Sequence, residues 1–209
     1  SSASESATEP AGAVGRVGRA LDSATPTISL SMTGVTVSAD SLRAQIREVP
    51  DFPKPGILFY DITTLLNDAK AFHEAIELMN EPFKDEQIDI VVGMESRGFI
   101  FSAPMALHLC AGFVPVRKLG KLPAETISVE YELEYGTNTL EVHRDAIRPG
   151  ERVLIVDDLL ATGGTVLGTI ELVKQLKGEI VGLSFLVELG FLKGRERLDG
   201  YPINSVIGY

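Results

Sequence analysis

Two adjacent carboxylates, Asp157 and Asp158, follow the apolar run Val153-Leu-Ile-Val156 and precede, after two leucines, the segment Ala161-Thr162-Gly163-Gly164-Thr165. An apolar run of that length reads as a strand and the stretch beyond Thr165 as a helix. The acids therefore reach the carboxyl edge of a sheet, where open α/β sheets bind ligands. Small side chains and two glycines leave several backbone N–H groups bare at the helix N-terminus. With the hydroxyls of Thr162 and Thr165 they make a cradle for a phosphate dianion. The carboxylates repel phosphate but accept hydrogen bonds from sugar hydroxyls. One loop thus offers a sugar binder beside a phosphate binder. An ordinary strand–turn–helix needs the glycines but not this set of acids and threonines. Neither G-x-x-x-x-G-K-[ST] nor a G-x-G-x-x-G after a strand occurs, which excludes a P-loop and a dinucleotide fingerprint.

Cations stand at the ends of neighbouring runs. Glu95-Ser96-Arg97 follows IDIVVG, Arg117 and Lys118 follow FVPV, and Lys121 comes three residues later. Any one of them could be a solvated surface charge, yet consecutive strand ends allow all four to converge. Glu130, Glu132 and Glu134 alternate along one extended segment, and spacing alone does not choose a general base among them. His73 reads as a surface or half-buried helix residue, His108 and Cys110 as packing residues of an apolar helix, and His143 as part of a short strand. No third partner for Cys–His chemistry is evident.

A sheet must bring these residues together. Runs at 88–93, 113–116, 152–158, 180–189 and 204–207 read as strands. Residues 69–81 carry helical apolar spacing, and 99–110 and 164–177 read as helices, the former with Pro104 near its first turn. This alternation predicts a doubly wound parallel sheet covered on both faces. Upstream, Ser38-Ala-Asp-Ser41 caps a short helix over LRAQIREV that Pro50 ends. Pro53, Pro55 and Gly56 then predict an irregular, exposed segment over 51–62. Residues 118–149 form a detour with little core pattern, and loops that long are usually functional.

The first 40 residues are rich in Ser, Ala, Thr and Gly and contain no aromatic residue, which predicts a disordered tail. Arg16 and Arg19 would suit a transit peptide, but Glu5, Glu9 and Asp22 count against one. Met32 could start a shorter chain. Across all 209 residues, 19 basic and 29 acidic side chains give a net charge of −10, which argues against wrapping nucleic acid. No apolar run reaches the roughly 18 residues of a bilayer span. The single Cys110 cannot form an intrachain disulfide and no Cys/His cluster has zinc spacing, so a reducing, cytoplasmic setting is expected.

The segment from Val153 to Thr165 resembles the phosphoribosyl-pyrophosphate (PRPP) binding motif of the type I phosphoribosyltransferases. Five more segments narrow the resemblance to the branch acting on adenine: Asp51–Ile62, Glu95–Phe101, Arg117–Pro123, Tyr131–Gly136 and Leu186–Leu189. It runs from about residue 41 to residue 209. It implies a hood over about 41–66, a flexible catalytic loop over about 118–149, and transfer of the 5-phosphoribosyl group from PRPP to adenine, giving AMP and pyrophosphate. It also implies Mg²⁺ carried mainly by PRPP, near Asp157 and Asp158 without direct protein ligation, and a homodimer. Site residues follow by position. Residues Ala161 to Thr165 take the phosphate and Asp157 and Asp158 the ribose. Glu95, Ser96, Arg97, Arg117, Lys118 and Lys121 surround pyrophosphate. Glu134 is the general acid/base, and Tyr135 closes over the sugar-phosphate end. Leu58, Phe59 and Tyr60 face Leu159 and Leu189 across the base, although core packing is the competing reading for all five. A relative acting on a 6-oxopurine is the nearest alternative. A PRPP-sensing transcription regulator is the alternative from another class, and the tail's only basic residues, Arg16 and Arg19, speak against it.

Overall fold

A computed structural model describes residues 38–132 and 137–209, with Glu132 described through its backbone alone. The expected tail falls, up to residue 37, outside the described residues. The described residues open with α1 (Ala39–Arg43), capped by the Ser38 side chain accepting from the Ser41 N–H. It continues through β1 (Arg47–Pro50), β2 (Leu58–Asp61), α2 (Thr63–Asn67) and α3 (Ala69–Asn80). Then come β3 (Ile90–Met94), α4 (Gly98–His108), β4 (Gly112–Lys118), β5 (Thr126–Glu132) and β6 (Thr137–His143). The last elements are β7 (Arg152–Leu160), α5 (Gly164–Gln175), β8 (Glu179–Glu188) and β9 (Ile203–Gly208).

Strands β3 to β9 form one sheet in the order β5-β6-β4-β3-β7-β8-β9. From β4 to β9 every pairing is parallel, while β6 runs antiparallel to β4 and β5. Successive residues of a strand point to opposite faces, so a sheet covered on both sides feeds two cores. Val91, Leu154 and Val156 join one with Met79, Phe101 and Met105 from α3 and α4. Val92, Val153 and Ile155 join the other with Val166, Ile170 and Val173 from α5. The doubly wound parallel sheet is thus as expected. The order reverses beside β3: the crossover through α4 leads to β4 on one side, and β7 lies on the other. Ligands of doubly wound sheets bind at such a reversal, outside the strands' carboxyl ends.

Four expectations need correction. The helix over LRAQIREV stops at Arg43, and Arg47–Pro50 is a strand paired with β2, Val49 opposite Phe59. Only 51–57 of the supposed irregular segment is a connection, with Asp51 at φ 58° and its Oδ1 accepting from the Gly56 N–H at 2.7 Å. The detour 118–149 is largely a β-hairpin, paired from Thr126↔His143 to Glu132↔Thr137. Its alternation was in the sequence, since Ile127, Val129 and Tyr131 pack on the α5-side core while the residues between them are polar. Pro104 lies in mid-helix rather than in the first turn of α4. Among the described residues no helix is long and apolar enough to cross a membrane.

Candidate active site

The loop 161–165 leads from β7 into α5. Gly163 caps the helix in the left-handed region, at φ 80° and ψ 0°, a conformation that favours glycine. The loop is braced from behind by a 3₁₀ turn over Gly194–Leu198, anchored by the buried Leu198. Arg197 Nη1 donates to the Thr162 carbonyl at 2.9 Å. A Cβ on Gly194 would lie 2.1 Å from the Ala161 carbonyl oxygen and 3.1 Å from the Gly163 nitrogen. Only a glycine lets the two backbones come this close. Sequence reading missed this brace, and its one local signal is a glycine set among charged residues.

Asp157 and Asp158 lie within β7, close to its carboxyl end. Asp158 is buried and accepts Arg97 Nε at 2.8 Å, while Asp157 Oδ1 accepts the Asp158 N–H at 2.9 Å. Gly98 opens α4 against this pair, since a Cβ there would stand 2.6 Å from Asp157 Oδ1. Burial pushes the Asp157 carboxyl well above its ordinary range, and the neighbouring Asp158 charge adds to the effect. Burial also raises Asp158, with Arg97 opposing. The pair is thus a polar floor that can accept from hydroxyls.

Glu95 and Ser96 form the turn from β3 into α4, joined by a cis peptide bond. The Glu95 carboxylate takes Arg117 Nη2 at 3.0 Å and Nε at 3.3 Å, and the Lys118 N–H at 3.1 Å. The Arg117 bond is the main reason its pKa is lowered. Arg117 Nη1 also donates to the Lys121 carbonyl at 3.1 Å. The guanidinium therefore faces into the protein, whereas Ser96, Lys118 and Lys121 are exposed. Of the expected cationic cluster, Arg97 is tied to Asp158 and Arg117 to Glu95.

The β1–β2 hairpin faces the ends of β7 and β8 across a pocket of about 130 Å³. Leu58, Phe59, Tyr60, Leu159 and Leu189 all line it, as expected, together with Ile57, Ile62 and Val187. Among the described residues its charged lining is Arg97 and Asp158, which pair with each other. Phe59 meets Phe52 edge-on at 5.2 Å, with the Arg97 guanidinium 5.8 Å from its ring centre. Tyr60 stacks on Tyr209 at 3.8 Å, and Arg43 covers Tyr209 at 4.4 Å while donating to the Gly208 carbonyl. Tyr209 pins the end of β8 through its N–H to the Glu188 carbonyl and its own carbonyl to the Gly190 N–H, both 2.9 Å. A residue 149 positions from Tyr60 gave no sign in sequence of being its stacking partner.

Glu134 and Tyr135 lie outside the described residues, in the stretch 133–136 between β5 and β6. His108 and Cys110, expected to be packing residues, are exposed. His108 Nδ1 instead meets Glu77 at 3.3 Å, with His73 Nε2 at 3.9 Å from the same oxygen. Among the described residues, no group of three or more His, Cys, Asp or Glu side chains could hold a metal ion.

Comparison with known proteins adds to this geometry. Residues 61–204 match the family described as phosphoribosyl transferase domain. The chain is 60% identical over 166 residues to adenine phosphoribosyltransferase of Halothermothrix orenii, covering 79% of this chain and 98% of that one. The crystal structure of adenine phosphoribosyltransferase from Thermoanaerobacter pseudethanolicus superposes with a TM-score of 0.80 at 54% identity, covering 82% of this chain and 100% of the other. The Saccharomyces cerevisiae enzyme, solved with an imino-altritol bisphosphate and adenine, gives 0.77 at 42% identity, covering 81% and 98%.

Proposed function

The chain belongs to the adenine phosphoribosyltransferases, and on that premise we propose how its residues transfer the 5-phosphoribosyl group from PRPP to adenine, giving AMP and pyrophosphate. The observation that carries the reading is one juxtaposition. A phosphate cradle, two hydroxyl-accepting acids and an apolar pocket for a flat base meet at the reversal of the sheet.

The 5′-phosphate sits on the N–H groups of 161–165 at the start of α5. Asp157 and Asp158 accept from the ribose hydroxyls. The C–O bond to pyrophosphate breaks as a ring nitrogen of adenine forms the new C–N bond at the anomeric carbon. Negative charge grows on the leaving group and calls for donors already in place. Ser96, Arg97, Lys118 and Lys121 supply them. A carboxylate repels pyrophosphate, so Glu95 acts by fixing Arg117 and the Lys118 backbone. Glu134, by its resemblance to the family's acid/base, takes the proton that leaves the purine, a contribution typically worth about 10²–10⁴-fold.

Magnesium fits as an ion brought in on PRPP, since Mg²⁺ usually keeps several waters and is bound chiefly through substrate phosphates. Asp158 is engaged by Arg97, so this pair suits contact through water. When bound, the ion neutralises charge on the diphosphate.

The pocket's walls are aliphatic and aromatic, and its two charged residues satisfy each other. Among the described residues no lining lysine or unpaired acid is left there for a 6-oxo group, which favours adenine over an oxopurine. A homodimer also belongs to this reading. Ile100 and Leu107 lie two turns apart on one face of α4, both exposed, Leu107 at 82%. A helix apolar on nearly every face is normally covered, and a second copy is the proposed cover. A cytoplasmic location completes the proposal. The test is AMP formation from adenine, PRPP and Mg²⁺, with hypoxanthine and guanine in parallel. Adenine alone should turn over. Turnover of an oxopurine would overturn the base pocket, and PRPP binding without turnover of any base would overturn the enzyme.

A further inference from the structure

We propose that Glu141 is a positioning residue for pyrophosphate: it holds the 120–122 turn from inside the protein and so sets Lys118 and Lys121 around the leaving group. The proposal rests on the reading that these lysines meet the diphosphate.

Glu141 lies in β6, opposite Arg117 of β4, and is only 3% exposed. Burying a carboxylate is expensive unless hydrogen bonds replace its water. Here they do. Its Oε1 accepts the Lys121 N–H at 2.8 Å and the Leu122 N–H at 3.0 Å, and Oε2 faces Thr126 Oγ1 at 3.5 Å. Burial acts to raise its pKa, yet the backbone donors of Leu122, Lys121 and Gly120 outweigh it and hold the carboxyl below the ordinary range. Successive N–H groups turned toward one centre, here those of Lys121 and Leu122, suit an anion, and the protein meets them with its own carboxylate. Gly120, at φ 80°, supplies the left-handed residue that turns the amides inward.

The same turn is gripped from its other side. Arg117, fixed by Glu95, donates to the Lys121 carbonyl. Lys121 thus has its N–H bound to Glu141 and its carbonyl to Arg117, while its side chain is exposed. The backbone is over-determined and the ammonium is presented outward. Two acids in a pyrophosphate site look misplaced, yet each holds the backbone that carries the cations.

The experiment compares steady-state kinetics of Glu141→Leu and Glu141→Gln with the wild-type chain in both directions, alongside thermal melts. Glu141→Leu removes every acceptor, and KM for PRPP and for pyrophosphate should each rise about tenfold, roughly the value of one lost phosphate contact. Glu141→Gln keeps an acceptor without the charge, and the same two constants should rise about threefold. KM for adenine and for AMP, which lack the diphosphate, should stay within about twofold in both variants. If the leucine variant fails to fold, the glutamine variant decides by the same split. Equal movement of all four constants, no movement in a folded variant, or insolubility of both would overturn the assignment. A wild-type chain without adenine turnover would instead remove the functional reading beneath it.

Discussion

Replacing Gly194 by alanine tests how the phosphate loop is held without touching any group that meets substrate. The added Cβ would stand 2.1 Å from the Ala161 carbonyl oxygen. An unstrained C···O approach is about 3.3 Å, so one backbone must retreat by about 1.2 Å. No side-chain rotation can relieve this, because the obstacle is backbone. The turn is held by buried Leu198 and by Arg197 on Thr162, so the displacement passes into the 161–163 loop. Overpacking of this kind costs about 1–3 kcal/mol, which for a domain of this size lowers Tm by about 2–12 °C. A misplacement near 1 Å at a reacting site can lower rate about 10²-fold. The expected result is therefore a fall of about 10- to 100-fold in kcat/KM for PRPP, with KM for adenine little changed. Gly208→Ala is the control, since nothing lies within 4 Å of a Cβ there. Values for Gly194→Ala within twofold of wild type, at unchanged Tm, would refute the idea that the turn braces the loop.

Three other perturbations probe separate parts of the site. Glu134→Gln should lower kcat by about 10²-fold or more at a KM near that of wild type, and near-normal turnover would move the base role elsewhere. Asp157→Asn should cripple PRPP use yet stabilise the fold at neutral pH. The native carboxyl binds its proton more tightly than the unfolded one, so wild-type stability falls as pH rises from about 3.9 through the raised native value. The Tm advantage of the asparagine variant should therefore shrink as pH approaches 4, and melts at pH 7 and pH 4 showing a constant difference would contradict the assignment. If the proposed dimer forms through α4, Leu107→Glu should sediment as a monomer at unchanged secondary structure where the wild-type chain sediments as a dimer, and a variant that still sediments as a dimer would clear the α4 face of that role.

The electrostatic design of the site is economical in cations. Arg97 and Arg117 each face an acid, Asp158 and Glu95, and neither is left as a mobile surface charge. Of the two, the Arg97 guanidinium, fixed by Asp158, would lose little freedom when an anion arrives, and pre-organised donors are the ones that stabilise charge as it develops. The negative overall charge of the chain is compatible with a local anion site because fields fall off within about 8–10 Å at ordinary salt.

Much of the chemistry was legible in the chain itself, because it is written contiguously. The run from Val153 to Thr165 carries strand, acids, a glycine turn and helix start in consecutive residues, so local propensity and hydrogen-bonding capacity sufficed to read its local structure. The strands at Ile90–Met94 and Glu179–Glu188 were legible for a similar reason, being buried on both faces and nearly continuous in apolar residues. The β5–β6 hairpin was equally written in its alternation, and was missed by reading length before period. Other features depended on partners far away in sequence. Arg47–Pro50 became a strand because β2 was there to pair with it, where propensity alone pointed to a helix. Arg97 found Asp158, Tyr60 found Tyr209, and Gly194 closed on Ala161 only when the sheet brought those segments together. The burial of Glu141 is the clearest case, since in sequence it is one more acid in an acidic chain. Local structure follows from neighbours along the backbone. Which charge is buried, and against which amide, is decided by contacts that exist only after the chain has folded.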